Sequence, residues 1–410
     1  MEELCYRFPL MAQKIMNNVD DQTLINFKEA SRKNADFFGK ERFYWIRIIQ
    51  RYNRLIGDLH EVWKQVVRKT PVEITRELAV AVYKFPQTIF RLHRRENLPR
   101  ETISPLDFVQ KIEKQWHPLF IGATCGSVNL CYHITQKVGV QGTTLSRMCG
   151  KISPLVFAAF AMRDLKVFKF LLEKSEDKNP ILRTHSNWTL LHDLAAKGNL
   201  EMCRLIVKEV EDKSPCDVDG STPYHISAYF GHKEVCRLLM EYHIDKNPKN
   251  HAGETPLLFA TVNKHLEVCR QLMEMCVDNN HLNDCVRIPL HVAAFLGHVE
   301  VVELFIANVA DKNLRDYEEG GKTPLLSAIE GGNLNVCKLL IEEYKVDVNL
   351  SDNYGMTPLH LASKLGQLEI CRLLCKYVKN SNIVDQNGKT PLDLAISEQK
   401  WEIVFSDLFW

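Results

Sequence analysis

The sequence contains no Cys-x-x-Cys pair, although 13 cysteines are spread over its 410 residues. That removes the basic element of a zinc ribbon or a thioredoxin-like centre. The count is odd and the spacing follows no disulfide framework, so reduced thiols in the cytosol or nucleus are expected. Long apolar runs are missing too. The densest early patch, Leu78–Tyr83, falls far short of the roughly 18–20 residues a membrane span needs. Met1-Glu2-Glu3 is acidic where a secretory leader is basic, and Arg7 interrupts the first apolar stretch, so no leader is expected. Net charge is almost absent: 52 Lys and Arg against 51 Asp and Glu leave +1. That balance argues against a general nucleic-acid binder or a basic membrane-surface protein.

Catalytic motifs are equally scarce. H-E-x-x-H, G-x-S-x-G and G-x-G-x-x-G do not occur. Gly320-Gly321-Lys322-Thr323 has the look of a phosphate loop. The glycine such a loop needs five places before its Gly-Lys-Thr is Asp316, so nucleotide binding is not expected. We therefore expect no catalytic residue, no metal and no cofactor. The apolar fraction of 45% and charged fraction of 25% are those of a folded chain. Charge is unevenly divided. Residues 1–115 hold 21 basic and 15 acidic residues (+6), leaving 31 and 36 (−5) for residues 116–410. A basic head on an acidic body implies two regions with different partners.

What the sequence has in abundance is repetition. Thr222-Pro223-Tyr224-His225 returns as Thr255-Pro256-Leu257-Leu258, Ile288-Pro289-Leu290-His291 and Thr323-Pro324-Leu325-Leu326. Thr357-Pro358-Leu359-His360 and Thr390-Pro391-Leu392-Asp393 follow. Upstream lie Thr189-Leu190-Leu191-His192, Ser153-Pro154-Leu155-Val156 and a worn His117-Pro118-Leu119-Phe120. The starts at 117, 153, 189, 222, 255, 288, 323, 357 and 390 are separated by 33 to 36 residues.

Each residue type has a physical reason. A Thr hydroxyl caps a helix by accepting an orphan backbone N–H. Pro follows at the first helical position, where it forfeits no hydrogen bond. Gly198, Gly231, Gly297 and Gly366 end that short helix. A second helix follows with an apolar face such as Leu266, Val268, Cys269 and Leu272. Asp219-Gly220, Ala252-Gly253, Tyr354-Gly355 and Asn387-Gly388 mark tight turns between repeats. Cys203, Cys236, Cys269, Cys337 and Cys371 recur at equivalent places, where small buried filler is expected rather than redox or metal chemistry.

This pattern resembles the ankyrin repeat, whose period is about 33 with a T-P-L-H-x-A core. The resemblance covers about residues 116–410. It implies an all-α solenoid of eight to nine helix-turn-helix repeats, with atypical repeats at Trp116–Val138 and from Ser397 onward serving as caps. It also implies that the T-P-L-H histidines tie one repeat to the next by hydrogen bonds.

The first 55 residues are similar to an F-box. Phe8-Pro9 stands for the opening Leu-Pro, Ile15-Met16 for the Ile-Leu step and Val19-Asp20 for the Leu-Asp break. Leu24 begins the next helix, Ala30-Ser31-Arg32-Lys33 matches the central element and Trp45 the late Trp. Ala30 is smaller than the usual Val, and Asn34 stands where Trp is common. The resemblance implies docking on a Skp-type adaptor of a cullin–RING ubiquitin ligase through Phe8, Pro9, Ile15, Leu24, Arg32 and Trp45. The other reading is a plain three-helix cap with a solvated basic face. Residues 56–115 read as connecting helices, with a capping box at Thr70-Pro71-Val72-Glu73 and no Gly/Ser-rich linker before the repeats.

In ankyrin repeats the two residues before the glycine of the first helix are variable. Here they run Phe160-Ala161, Ala196-Lys197, Tyr229-Phe230, Val262-Asn263, Phe295-Leu296, Glu330-Gly331 and Lys364-Leu365. Tyr229, Phe230, Val262, Phe295 and Leu296 are expected to floor a protein-binding groove, since aromatic residues are enriched at interface hot spots. The alternative is that the second residue of each pair packs between repeats. The expected function is that of a substrate receptor: the head on the adaptor, the repeats on an unknown protein, no nucleic acid and no membrane. The rival is a ligase-independent scaffold or inhibitor whose head only caps the repeats. The expected compartment is cytoplasm or nucleus, or a host cytosol if the protein is an effector.

Overall fold

The computed structural model describes residues 118–406, apart from 125, 139–143, 147–149, 162–163, 183–185, 243–244, 279–281 and 317–319. His117, the connecting segment 56–115 and the head with Phe8, Pro9, Ile15, Leu24, Arg32 and Trp45 lie outside the described residues. The chain divides into two compact units, residues 1–190 with 208–210 and residues 191–207 with 211–410.

In the first unit, α1 (Pro118–Ala123) packs on α2 (Val128–Val138), and α3 (Pro154–Ala161) on α4 (Leu165–Lys174). Leu119, Phe120, Leu130, Ile134, Leu155, Phe168 and Leu171 are fully buried. The Phe120 and Phe157 rings meet with centroids 5.4 Å apart. Asp164 caps α4, its carboxylate accepting the N–H groups of Lys166 at 2.9 Å and Val167 at 3.2 Å. Between α2 and α3 lies a small antiparallel hairpin, β1 (Thr144–Ser146) on β2 (Gly150–Ile152), the only sheet among the described residues. The fold class is otherwise all-α, as expected.

The second unit is a row of helix pairs. Its first helices are α5 (Leu190–Ala196), α7 (Pro223–Tyr229), α9 (Pro256–Val262), α11 (Leu282–Leu296), α13 (Pro324–Glu330), α15 (Pro358–Leu365) and α17 (Pro391–Ser397). Its second helices are α6 (Leu200–Glu209), α8 (Lys233–Met240), α10 (Leu266–Asp278), α12 (Val299–Asn308), α14 (Leu334–Lys338), α16 (Leu368–Cys375) and α18 (Trp401–Val404). Both unit boundaries in this region fall inside helices, at the start of α5 and near the end of α6. The threonine caps are present. Thr255 accepts from Leu258 N–H at 3.3 Å, Thr323 from Leu326 at 3.4 Å and Thr390 from Asp393 at 3.1 Å. With Pro next in line, each helix starts where its backbone is already preset.

The second helices bury one apolar stripe each. Val235, Cys236 and Leu239 are typical, repeated as Val268, Cys269, Leu272 and as Ile370, Cys371, Leu374. Burial pushes the thiols of Cys203, Cys236, Cys337 and Cys371 up to about 12 and that of Cys269 to about 11. A thiol held so far from its thiolate is poor as a nucleophile or ligand. Val302 fills the same place in the 288 repeat and is also fully buried. The cysteines are packing atoms.

Between repeats the chain makes a tight finger. In the finger at 217–221, the Asp217 carboxylate accepts from Asp219 N–H at 3.0 Å and Ser221 N–H at 2.8 Å. Asn250, Asp352 and Asp385 do the same for their own turns. Gly320-Gly321-Lys322-Thr323 is one of these fingers. Asp316 N–H donates to the Lys322 carbonyl at 2.9 Å, and the Thr323 hydroxyl caps α13. The residues that resemble a phosphate loop are thus used by the repeat itself.

Two irregularities have sequence causes. Two residues before each cap, the backbone is left-handed at Asn187, Gly220, Gly253, Gly321, Gly355 and Gly388. The 288 repeat has Val286 there and Ile288 in place of the threonine, so neither the turn nor the cap is encoded. No turn forms there: α11 runs through the position, with Pro289 inside it, so the repeat start expected at 288 is not a helix start. The step from 323 to 357 contains an extra residue relative to 33, and α14 continues into a π-helical turn, Leu339–Glu343, that absorbs it.

Two glycines separate backbone strain from steric fit. Gly253 (φ 79°) has nothing within 4 Å of where a Cβ would sit, whereas at Gly231 (φ 78°) a Cβ would lie 2.5 Å from His265 Nδ1. Gly253→Ala should cost about 1–2 kcal/mol, the left-handed penalty alone. Gly231→Ala should cost more, because it also displaces His265. Denaturant midpoints of the two variants check this; equal losses would mean that the imidazole seat is unimportant.

Candidate protein-binding surface

Two hydrogen-bond ladders hold neighbouring repeats of the second unit in register. The forward ladder uses the motif histidines. His192 Nε2 lies 3.1 Å from Ser221 O, His225 Nε2 3.2 Å from Glu254 O, His291 Nε2 3.0 Å from Lys322 O and His360 Nε2 3.0 Å from Lys389 O. In two of these the tautomer follows from the cap. The Thr222 and Thr357 backbone N–H groups donate to Nδ1 of His225 and His360 at 3.1 and 3.3 Å, so Nε2 carries the proton and donates onward. This is the tie expected of these histidines.

The backward ladder was not expected. In five successive repeats the residue after the helix-ending glycine or its substitute reaches back to the preceding repeat. His232 Nε2 meets Ala196 O at 2.9 Å, His265 meets Tyr229 O at 2.9 Å and His298 meets Val262 O at 3.2 Å. Asn333 donates to Phe295 O at 2.6 Å and Gln367 to Ile329 O at 2.6 Å. The sequence signal was there: a side chain with an N–H donor follows the glycine position in repeat after repeat.

Three of the five accepting carbonyls, those of Tyr229, Val262 and Phe295, belong to residues of the candidate surface. Tyr229 is 42% exposed, Phe230 45%, Val262 44%, Phe295 46% and Leu296 41%. Phe230 and Leu296, the second members of their pairs, do not pack between repeats but stand as exposed as the first. Phe259 joins them, its ring centroid 5.9 Å from Tyr229, while Tyr229 and Phe230 meet edge to face at 5.1 Å. These residues sit on α7, α9 and α11, Phe230 being the residue that ends α7, and the three successive first helices pack side by side. The backward ladder fixes the last turn of each helix and hence the direction of these side chains.

Charge brackets the patch. Asp193 on α5 and Lys197, the residue after its end, are paired at 2.6 Å. Burial raises the Asp193 carboxyl above its ordinary value, and Lys197 works against that rise. On α13 Glu330 pairs with Lys322 at 2.7 Å. Further pairs, Lys233–Glu267 at 3.3 Å and Lys264–Glu300 at 2.8 Å, link neighbouring repeats. No cluster of metal-ligating side chains occurs among the described residues. No helix among them is long and apolar enough to cross a membrane.

A family model described as ankyrin repeats (3 copies) matches residues 155–250, 245–316, 290–385 and 344–405. The matches together span 155–405, well over half of the 410 residues. None reaches the head, and no F-box match accompanies them. No curated protein matches the chain.

The forward ladder makes stability depend on pH. Burial lowers the pKa of His192 and His360 below the ordinary 6.5, with their carbonyl partners offsetting part of the drop. The unfolded chain therefore binds protons more readily than the folded one as pH falls through about 6.5. The stability these groups contribute is complete above that value and declines below it, toward the folded pKa. The denaturation midpoint should be lower at pH 5.5 than at 7.5, and His192→Gln with His360→Gln should flatten that difference. An unchanged slope in the double variant would show that these imidazoles are not the titrating groups.

Proposed function

The chain belongs to the ankyrin-repeat family and its repeats are a protein-interaction module; from that premise we propose a non-catalytic receptor that holds another protein on Tyr229, Phe230, Val262, Phe295 and Leu296. One observation carries this reading: five large apolar side chains stand more than two-fifths exposed at equivalent positions of three adjacent repeats. Keeping such a patch in water has no folding benefit, and contiguous exposed apolar surface marks contact sites. Isolated exposed leucines would carry no such weight.

The finer proposal concerns the head. Phe8-Pro9, Ile15, Leu24, Arg32 and Trp45 resemble an F-box, so the receptor would present its bound protein to a cullin–RING ubiquitin ligase through a Skp-type adaptor. Catalysis would then be proximity supplied by the assembly. Between residues 28 and 54 eight basic residues face three acidic ones in the sequence, a balance that favours an acidic partner. The second reading is a ligase-independent scaffold or inhibitor, and the restriction of the family match to the repeats favours it.

Two experiments separate these. Tyr229→Ala with Phe295→Ala in the full chain should abolish capture of the bound protein by in-cell cross-linking from position 262. The double variant should lower unfolding stability by no more than about 1 kcal/mol per site, as for surface positions. A large stability loss would assign the pair to the core and remove the receptor reading.

For the head, purified full chain should bind a Skp-type adaptor, and Phe8→Ala with Pro9→Ala should weaken that binding at least about tenfold. No binding, or binding indifferent to the double change, would leave the scaffold.

A further inference from the structure

Neighbouring repeats of the second unit, each counted with its own finger, are not tied alike. The 222 and 255 repeats are joined in both directions and through their fingers. His225 Nε2 meets Glu254 O at 3.2 Å, His265 Nε2 meets Tyr229 O at 2.9 Å, and His251 N–H donates to Asp219 O at 2.9 Å. Between the 323 and 357 repeats Leu326 stands where the motif histidine would be, and finger bonds make up for it. Asn353 N–H donates to Gly320 O at 2.8 Å, Arg315 Nη1 to Ser351 O at 2.8 Å and Asp347 N–H to Asn313 Oδ1 at 3.1 Å.

Between the 255 and 288 repeats two of these ties are impossible. Leu258 stands at the motif histidine position and has no side-chain N–H to give. The finger that would meet the one at 250–254 does not exist, because its residues belong to α11. Among the described residues this junction is crossed by His298 Nε2 to Val262 O at 3.2 Å, the longest bond of the backward ladder, and by Lys264–Glu300 at 2.8 Å. Both side chains of that ion pair are about half exposed, so it contributes little. Apolar packing continues, with α9 on α11 and Ala260, Ala293 and Ala294 fully buried. Such packing is not directional. It holds the helices together without fixing how one slides or turns on the other.

We infer that the junction of the 255 and 288 repeats is a hinge of the second unit, at which the block α5–α10 and the block α11–α18 shift against each other and open separately. The next junction is firm again: His291 Nε2 meets Lys322 O at 3.0 Å, and Asn333 donates to Ala294 O at 3.0 Å and to Phe295 O at 2.6 Å. The place of the hinge bears on the receptor reading above, and this consequence rests on that reading. Tyr229, Phe230 and Val262 ride on the first block, Phe295 and Leu296 on the second. Movement at the hinge therefore changes the separation between two halves of one exposed surface. A partner that grips both halves favours one setting of the hinge, and any other setting denies it half of its anchors.

Two measurements on the full chain test the hinge. Glu201, Glu267 and Asn335 hold the same exposed register position, the second residue of α6, α10 and α14. Spin labels on non-canonical amino acids at 201 and 267 span two repeat steps inside the first block, and labels at 267 and 335 span two steps across the hinge. The pulsed-resonance distance distribution of the second pair should be at least about twofold broader; equal widths would overturn the hinge. Hydrogen exchange is the second readout. Gly253→Ala loosens a finger of the first block and Gly355→Ala one of the second, both at left-handed glycines (φ 79° and 75°). Gly253→Ala should speed exchange in α7 and α9 at least about fivefold and in α13 and α15 less than about twofold, and Gly355→Ala should do the reverse. Equal acceleration on both sides would overturn the hinge as well. If both measurements show two blocks while position 262 cross-links nothing in cells, the hinge stands and the receptor reading falls. If cross-linking succeeds while either measurement shows one block, this inference alone falls.

Discussion

The bond from the residue after the glycine to the carbonyl of the preceding repeat is the constraint on which the second unit depends. It joins main chain to side chain across the repeat boundary, so it fixes register as well as distance. A helix of seven residues, such as Pro223–Tyr229, is too short to be stable alone. Its last carbonyls would be orphaned. His265 answers one of them from the next repeat, and it can reach only because Gly231 leaves room for its ring. Helix end, glycine and donor form one device, repeated with His, Asn or Gln as the donor. The device has a side effect that matters for binding. It occupies the carbonyls of Tyr229, Val262 and Phe295 while their side chains stay exposed.

The repeats were readable because cap, proline and turn recur in a fixed order, and each is a local rule. Thr255, Pro256 and Gly253 need no tertiary knowledge to place a turn and a helix start. The exposure of Tyr229 and Phe295 was also foreseeable from register, once the neighbouring positions were seen to hold Lys197 and Glu330. Three features were harder to see. The backward ladder joins residues up to 39 apart, Asn333 to Ala294, and no local pattern announces such a bond. Whether Phe230 packed inward or outward depended on helix rotation by a fraction of a turn. The absent finger at Val286 was written in the sequence, but only as a missing glycine, and apolar periodicity does not register a missing turn.

The irregular repeats show which rules are compulsory. Ile288 has no hydroxyl and Val286 disfavours a positive φ, yet Leu290, Ala293 and Ala294 remain fully buried. Packing between helices therefore survives the loss of turn and cap. The π-helical turn after α14 tells the same story. An extra residue is wound into the helix, and Leu340 and Ile341 stay buried on the core side. Buried apolar contact is conserved along the row, while finger geometry is allowed to vary.

That hierarchy bears on the aromatic floor. If packing were the sole demand on these positions, the exposed pair before each glycine would be free to hold any polar residue, as Lys197 and Glu330 do. Three adjacent repeats instead hold Tyr-Phe, Val-Asn and Phe-Leu there, five of the six positions apolar, at a cost in solubility. The patch then stops at ion pairs on both sides rather than fading gradually. A boundary of that kind is what a partner of finite length would select, because contact beyond the last anchor adds desolvation without adding area. Energy from such a surface comes from the few side chains that become fully dry on binding, with the surrounding ion pairs serving to exclude water.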